Sequence, residues 1–183
     1  MNERKLYLGI PLSGKAKTRI AQSIEKLDDL PMFTVRPENL FVNALYLGFV
    51  TDENAAWMAE TAGEVCAGIE PFDMMLTTIT TAPDEGQIKT IQLVGEESEP
   101  LLALRNAFER ELMGKQVDGK RFRPRVTLAQ VKRHEFSALP AETLSVFPQS
   151  VSISEPVSSV VLYESVGAGA KRQYLIMDEF PLG

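Results

Sequence analysis

Two short segments hold the residues whose types and spacing suggest chemistry. One is Phe41-Val-Asn43, in the run Pro37-Glu-Asn-Leu-Phe-Val-Asn-Ala-Leu-Tyr-Leu-Gly48. The other is Arg125-Val-Thr127, in Arg121-Phe-Arg-Pro-Arg-Val-Thr-Leu-Ala129, about 84 residues later. Each follows a proline-containing turn and reads as a β-strand, so residues two apart share a face. One face of the first strand therefore presents Phe41, Asn43 and Leu45, and one face of the second presents Arg125 and Thr127. Val42, Ala44, Val126 and Leu128 point the other way, toward helices. A guanidinium beside a hydroxyl can hold a phosphate or carboxylate through a fork of donors. Arg123 is placed to assist, and Arg121 either assists or is solvated. Phe41 either stacks on a base or ribose or fills the pocket. Neither Phe41 nor Arg125 can take up a proton near neutral pH.

The flanking sequence supplies elements to position these strands. Residues 5–10 read as a first strand. Ser13 caps a helix running to about Leu27, on which Ile20, Ile24 and Leu27 recur at helical spacing. Residues 32–35 are a short extended piece, and the strand after the Pro37 turn spans residues 40–47. Asp52 is the expected cap of a second helix reaching about Ile69. Residues 72–80 and 90–94 flank the turn-rich Ala82-Pro-Asp-Glu-Gly86 as a hairpin. A third helix, 99–113, carries the stripe Leu101, Leu102, Leu104, Phe108 and Leu112 and stops at Gly114. Residues 125–131 form a strand. Residues 132–150 are irregular, broken by Pro140 and Pro148. Strands 157–165 and 173–180, joined by Gly167-Ala-Gly169, end the chain. Alternating strands and helices would fit a parallel sheet, but the hairpins favour an α+β fold.

Composition narrows the function. The chain has 183 residues, 44% hydrophobic, with a formal charge of −6, an ordinary globular composition. A single cysteine, Cys66, excludes an intrachain disulfide and a cysteine-built zinc site and reads as a small buried helix residue. A single histidine, His134, excludes a multi-histidine metal centre within one chain and reads as an exposed loop residue. The net negative charge argues against general nucleic-acid affinity. Yet residues 115–133 hold seven basic residues (Lys115, Lys120, Arg121, Arg123, Arg125, Lys132, Arg133) against Asp118 alone, and such a strip holds an anion in one place. The bland reading of that strip is a solvated hairpin. No apolar run suits a membrane span or a secretory signal, and a cytoplasmic protein without a cofactor is expected.

The two strand segments resemble the signature strands of the RNA 2′,3′-cyclic phosphodiesterases, or RNA ligase-like proteins, of the two-histidine phosphoesterase superfamily. Pro37, Glu38, Asn39, Leu40, Leu47 and Gly48 match the family's first frame, which resembles Pro-Glu-Asn-Leu-His-x-Thr-Leu-x-Phe-Leu-Gly. Phe122, Pro124, Thr127, Leu128 and Ala129 match the second, which resembles Phe-x-Pro-His-x-Thr-Leu-Ala-Arg. The opening Leu6-Tyr-Leu-Gly-Ile-Pro11 resembles the family's first strand. Val161-Leu-Tyr-Glu-Ser165, Tyr174 and Phe180-Pro-Leu182 resemble its last hairpin. The resemblance implies one domain, 1–183, in two pseudo-twofold lobes: two antiparallel sheets, helices outside, and a central cleft.

Four departures from that pattern bear on the chemistry. Phe41 and Arg125 stand where the catalytic histidines would, Asn43 replaces the first threonine, and Gln130 replaces the arginine after the second motif. Cyclic phosphodiester hydrolysis divides base and acid roles between two imidazoles. His134, nine residues beyond Arg125, cannot restore the pair. Three readings follow. The chain is a non-catalytic binder of a nucleotide, RNA end or other anion in the cleft. Alternatively, it is an enzyme with altered chemistry using Arg125 and Thr127. Or it is an interaction protein with a closed cleft and an unidentified partner.

Overall fold

In a computed structural model, residues 3–115 and 121–183 are described. The chain orders β1 (Glu3–Pro11), α1 (Gly14–Glu25), β2 (Met32–Thr34), a 3₁₀ turn (Pro37–Asn39), β3 (Phe41–Thr51), α2 (Asp52–Ala67), β4 (Phe72–Ala82), β5 (Thr90–Gly95), α3 (Glu99–Met113), β6 (Arg125–Val131), α4 (Arg133–Ser137), α5 (Ala141–Leu144), β7 (Gln149–Val157), β8 (Ser159–Val166), a second 3₁₀ turn (Gly169–Lys171) and β9 (Gln173–Pro181).

Every strand pairing among the described residues is antiparallel. One sheet has the order β3-β1-β8-β9, and the other β2-β6-β5-β4-β7. Apart from β2 on one edge, the sheets match strand for strand: β3 with β6, β1 with β5, β8 with β4, β9 with β7. This is the α+β, two-lobed, pseudo-twofold arrangement expected from the sequence, and the parallel alternative falls away. The helices lie outside. α2 packs against β3, β8, β9 and α3, α3 also against β3, and α1 against β7.

The alternating apolar residues dictate the packing. Leu6, Leu8 and Ile10 of β1, Leu76 and Ile79 of β4, Leu93 of β5 and Val126 and Leu128 of β6 are buried in one cluster with Phe108 of α3 and Cys66 of α2. Burial pushes the Cys66 thiol up to about 12, so it is an inert core residue, as its apolar setting suggested.

Ser13 caps α1 as expected, its hydroxyl accepting from the Ala16 N–H at 3.2 Å. It also donates. Its Oγ reaches Glu155 of β7 at 2.8 Å, and its backbone N–H donates to the same carboxylate. Glu155 is 2% exposed and is the one buried charged residue among those described. A carboxylate at a helix N-terminus faces unsatisfied N–H groups and the positive end of the dipole.

Some expectations need correction. Thr51, not Asp52, caps α2, its hydroxyl accepting from the Asn54 N–H. Asp52 instead pairs with Arg4 at 2.6 Å. The stretch read as irregular contains α4, α5 and the start of β7. β7 carries Pro156 on an edge strand, where a missing N–H costs the ladder little. The strand expected over 157–165 is β8, Ser159–Val166, and Val157 instead ends β7.

Candidate functional site

The site is made by two matching irregularities. Where β3 pairs with β1, Gly9 faces Asn43 and Leu8 faces Leu45, so Ala44 is an extra residue. Where β6 pairs with β5, Gln92 faces Thr127 and Ile91 faces Ala129, so Leu128 is extra. Each bulge shifts the alternation by one position. In β6, Arg125, Thr127 and Gln130 are exposed while Val126, Leu128 and Ala129 are buried. In β3, Asn43 and Tyr46 are exposed while Val42, Ala44 and Leu45 are buried.

This overturns one expectation. Leu45 does not share the cleft face with Phe41 and Asn43; it belongs to the main core. Unbroken alternation was assumed, and the bulge at Ala44 breaks it. Tyr46 takes the outward place, packing on Tyr7 with ring centres 4.7 Å apart. The bulge is held from outside, since Arg105 of α3 donates to the Ala44 carbonyl at 3.1 Å.

The two strands meet across a cleft of about 570 Å³ whose lining includes Phe41, Asn43, Arg125 and Thr127. The four positions singled out on the two signature strands thus share one groove. Arg123 lies elsewhere. Its Nε donates to the Gly95 carbonyl at 2.9 Å, and it lines an adjoining hollow of about 520 Å³ with Arg105 and Arg121. The two hollows share Asn43, Arg125 and Thr127. Arg121 is largely solvated, 3.8 Å from Glu97. Lys120 and Asp118 of the basic strip lie outside the described residues. His134 is exposed on α4, not in the expected loop, and is not among the residues lining the cleft.

Phe41 is 8% exposed. Its ring stacks on Tyr163 at 4.3 Å and 20°, and meets Tyr174 edge-on at 4.9 Å. Gly9 opens the slot, because a Cβ there would overlap the Phe41 ring and come within 2.9 Å of Tyr163 Cε2. The pocket position is thus filled by a hydrophobic cluster of Phe41, Val161 and Tyr163, flanked by the rings of Tyr7 and Tyr174. Burial, and secondarily the negative charge of Glu179, pushes the Tyr163 phenol up to about 12. It stays protonated at neutral pH and supplies no base.

The opposite wall is polar. Arg125 Nη1 donates to Gln92 Oε1 at 3.4 Å, a long bond to a neutral partner. Thr127 and Gln130 are exposed beside it. Arg36 and Arg172 also line the cleft, and among the described residues its lining contains no aspartate or glutamate. Sequence reasoning missed these two arginines as site residues, along with Tyr7. Tyr174 was noticed only for its family likeness. One signal existed: Asn39, in the first motif, joins these pieces. Its Nδ2 donates to the Arg172 carbonyl at 3.0 Å, and its Oδ1 accepts from the Tyr174 N–H at 3.2 Å. Among the described residues no cluster suited to a metal ion exists, and no helix is long and apolar enough to cross a membrane.

Comparison with known proteins agrees with this architecture. Residues 17–168 match the family described as the 2′-5′ RNA ligase superfamily. An RNA 2′,3′-cyclic phosphodiesterase of Archaeoglobus fulgidus is 25% identical over 132 residues, covering 70% of this chain and 73% of that protein. A crystal structure of a Thermus thermophilus protein superposes with a TM-score of 0.80 at 21% identity, covering 97% of both chains. Escherichia coli LigT complexed with 3′-AMP superposes at 0.76 and 20% identity, covering 98% of both.

Proposed function

This chain belongs to the 2′-5′ RNA ligase superfamily, and from that premise we propose that it binds the phosphate-bearing end of a nucleotide or RNA in its central cleft without hydrolysing it. The observation that carries this reading is the division of the cleft. On one wall the position of the first motif histidine is a buried, stacked Phe41. On the other, Arg125 and Thr127 are exposed toward a space lined, among the described residues, by three arginines and no carboxylate. Such a site attracts and orients a phosphate through charge-assisted hydrogen bonds. It lacks a group that takes a proton from water and one that returns it to the leaving oxygen. Solved structures of Escherichia coli LigT hold 3′-AMP, NADP+ and ATP, which supports nucleotide-sized occupants. The open volume speaks against the closed-cleft alternative.

The test is calorimetric titration with 3′-AMP at low ionic strength. Binding should be measurable in the micromolar to millimolar range, and Arg125→Gln should weaken it about 10- to 100-fold, the value of roughly 1.5–3 kcal/mol for a charged hydrogen-bonding group. Absence of binding at millimolar ligand would remove the proposal.

The altered-chemistry reading rests on one feature: Arg125 and Thr127 could still stabilise charge on phosphoryl oxygens. It predicts slow hydrolysis of 2′,3′-cyclic AMP that disappears in Arg125→Gln.

A further inference from the structure

We infer that the cleft contains a second anion site, built from Arg172 and Arg36, and that its ligand carries two phosphate groups separated by a ribose. This deepens the proposed function and rests on it. The starting point is an unsatisfied atom. Arg172 Nε is buried and has no hydrogen-bond partner, the one such side-chain atom among the described residues. Buried donors are nearly always satisfied, and leaving a charged one unmade is costly. Arg172 lines the cleft, so the guanidinium that carries this unsatisfied nitrogen sits where a partner supplied from outside the chain can reach it.

The surroundings make that partner an anion. Among the described residues, the cleft lining holds Arg36, Arg125 and Arg172 and no acidic side chain. Neither Arg36 nor Arg172 takes part in an ion pair seen among the described residues. Their backbones are fixed by a common residue. The Asn39 N–H donates to the Arg36 carbonyl at 2.9 Å, and the Asn39 side chain holds the Arg172 carbonyl. The two guanidinium stems thus start from one anchored corner, where Pro37–Asn39 meets the start of β9. Like charges brought together this way repel unless an anion lies between them.

This corner is distinct from the Arg125 site. Arg125 and Thr127 also line the adjoining hollow, whereas Arg36 and Arg172 do not. The cleft thus has cationic groups at two places, with the aromatic rings of Tyr7, Phe41 and Tyr174 in the same lining. A nucleoside 3′,5′-bisphosphate, or two consecutive phosphates of an oligonucleotide, has that chemistry.

The experiment is calorimetric titration with adenosine 3′,5′-bisphosphate, 3′-AMP and 5′-AMP at one fixed low salt concentration. The wild type should bind the bisphosphate at least tenfold more tightly than either monophosphate. Arg172→Gln should remove that advantage, and Arg36→Gln, made separately, should reduce it, with both variants keeping the wild-type unfolding temperature within a few degrees. Of the two monophosphates, 3′-AMP should depend on Arg125 and 5′-AMP on Arg172. A bisphosphate no tighter than the better monophosphate overturns the second site while leaving the proposed function standing. So does an unchanged bisphosphate affinity in both Arg172→Gln and Arg36→Gln. Failure of all three ligands to bind overturns both.

Discussion

β3 and β6 share a backbone and differ in chemistry. Both carry an extra residue, at Ala44 and at Leu128, against partner strands that occupy equivalent places in their sheets, and β3 carries a second at Leu47. Phe41 and Asn43 on one side face the cleft with Arg125, Thr127 and Gln130 on the other, while Tyr46 lines the adjoining hollow. On the β3 side the neighbouring strand offers Gly9, and a ring drops into the gap. On the β6 side the neighbour is Gln92, and a guanidinium extends over it. The comparison separates what the fold conserves, a geometry for aiming side chains, from what the side chains then do. One wall is closed by stacking, worth roughly 0.5–1.5 kcal/mol per aromatic pair beyond burial, and the other remains exposed and cationic.

The strongest way to break this comparison is to restore symmetry. The combined variant Phe41→His, Asn43→Thr and Arg125→His should gain hydrolysis of 2′,3′-cyclic AMP, by at least about 10²-fold over wild type, since each acid–base group contributes roughly 10²–10⁴. A folded but inert variant would mean that the two strands do not aim their side chains alike.

A smaller effect distinguishes two helix caps. Ser13 and Ser98 cap α1 and α3 through their hydroxyls, but only Ser13 also donates to a buried carboxylate. Ser98→Ala should cost about 1 kcal/mol in urea unfolding. Ser13→Ala should cost about 2 kcal/mol more, because Glu155 loses a charge-assisted bond while staying buried. Equal losses would contradict the assigned role of Glu155.

Next comes the contrast beneath the two cleft residues. Gly9→Ala drives a methyl into the Phe41–Tyr163 stack and should destabilise by about 1–3 kcal/mol. Gln92→Ala, at the equivalent place, should stay within about 0.5 kcal/mol. The smallest effect is a pH signature of the closed wall. The Tyr163 phenol is raised above its ordinary 10.0 to about 12, so the fold favours its neutral form. That contribution is complete below pH 10 and is lost as pH rises through about 12. Absorbance titration should show one tyrosine ionising near pH 12, and Tyr163→Phe should remove that step.

These contrasts also explain what could be read before any coordinates. The sheet pattern and the caps at Ser13 and Gly114 were legible because alternation and capping are local rules. The pairing of residues 41 and 43 with 125 and 127 was legible because the two segments repeat a motif frame. The face of Leu45 was not, since a bulge depends on how two strands pair and leaves no fixed residue signature. Arg36 and Arg172 were not, because they come from turns far apart in the chain and are joined through Asn39. The start of β7 was hidden by Pro148, which reads as a breaker, and the strand lies at a sheet edge where its own Pro156 is tolerated.

The central claim, occupancy without turnover, can be examined in a single phosphorus NMR experiment with 2′,3′-cyclic AMP at high protein concentration. The account predicts a cyclic-phosphate resonance that broadens or shifts on adding protein and then persists unchanged for days. Conversion to a monoester signal that Arg125→Gln abolishes would contradict it, as would a resonance indifferent to the protein.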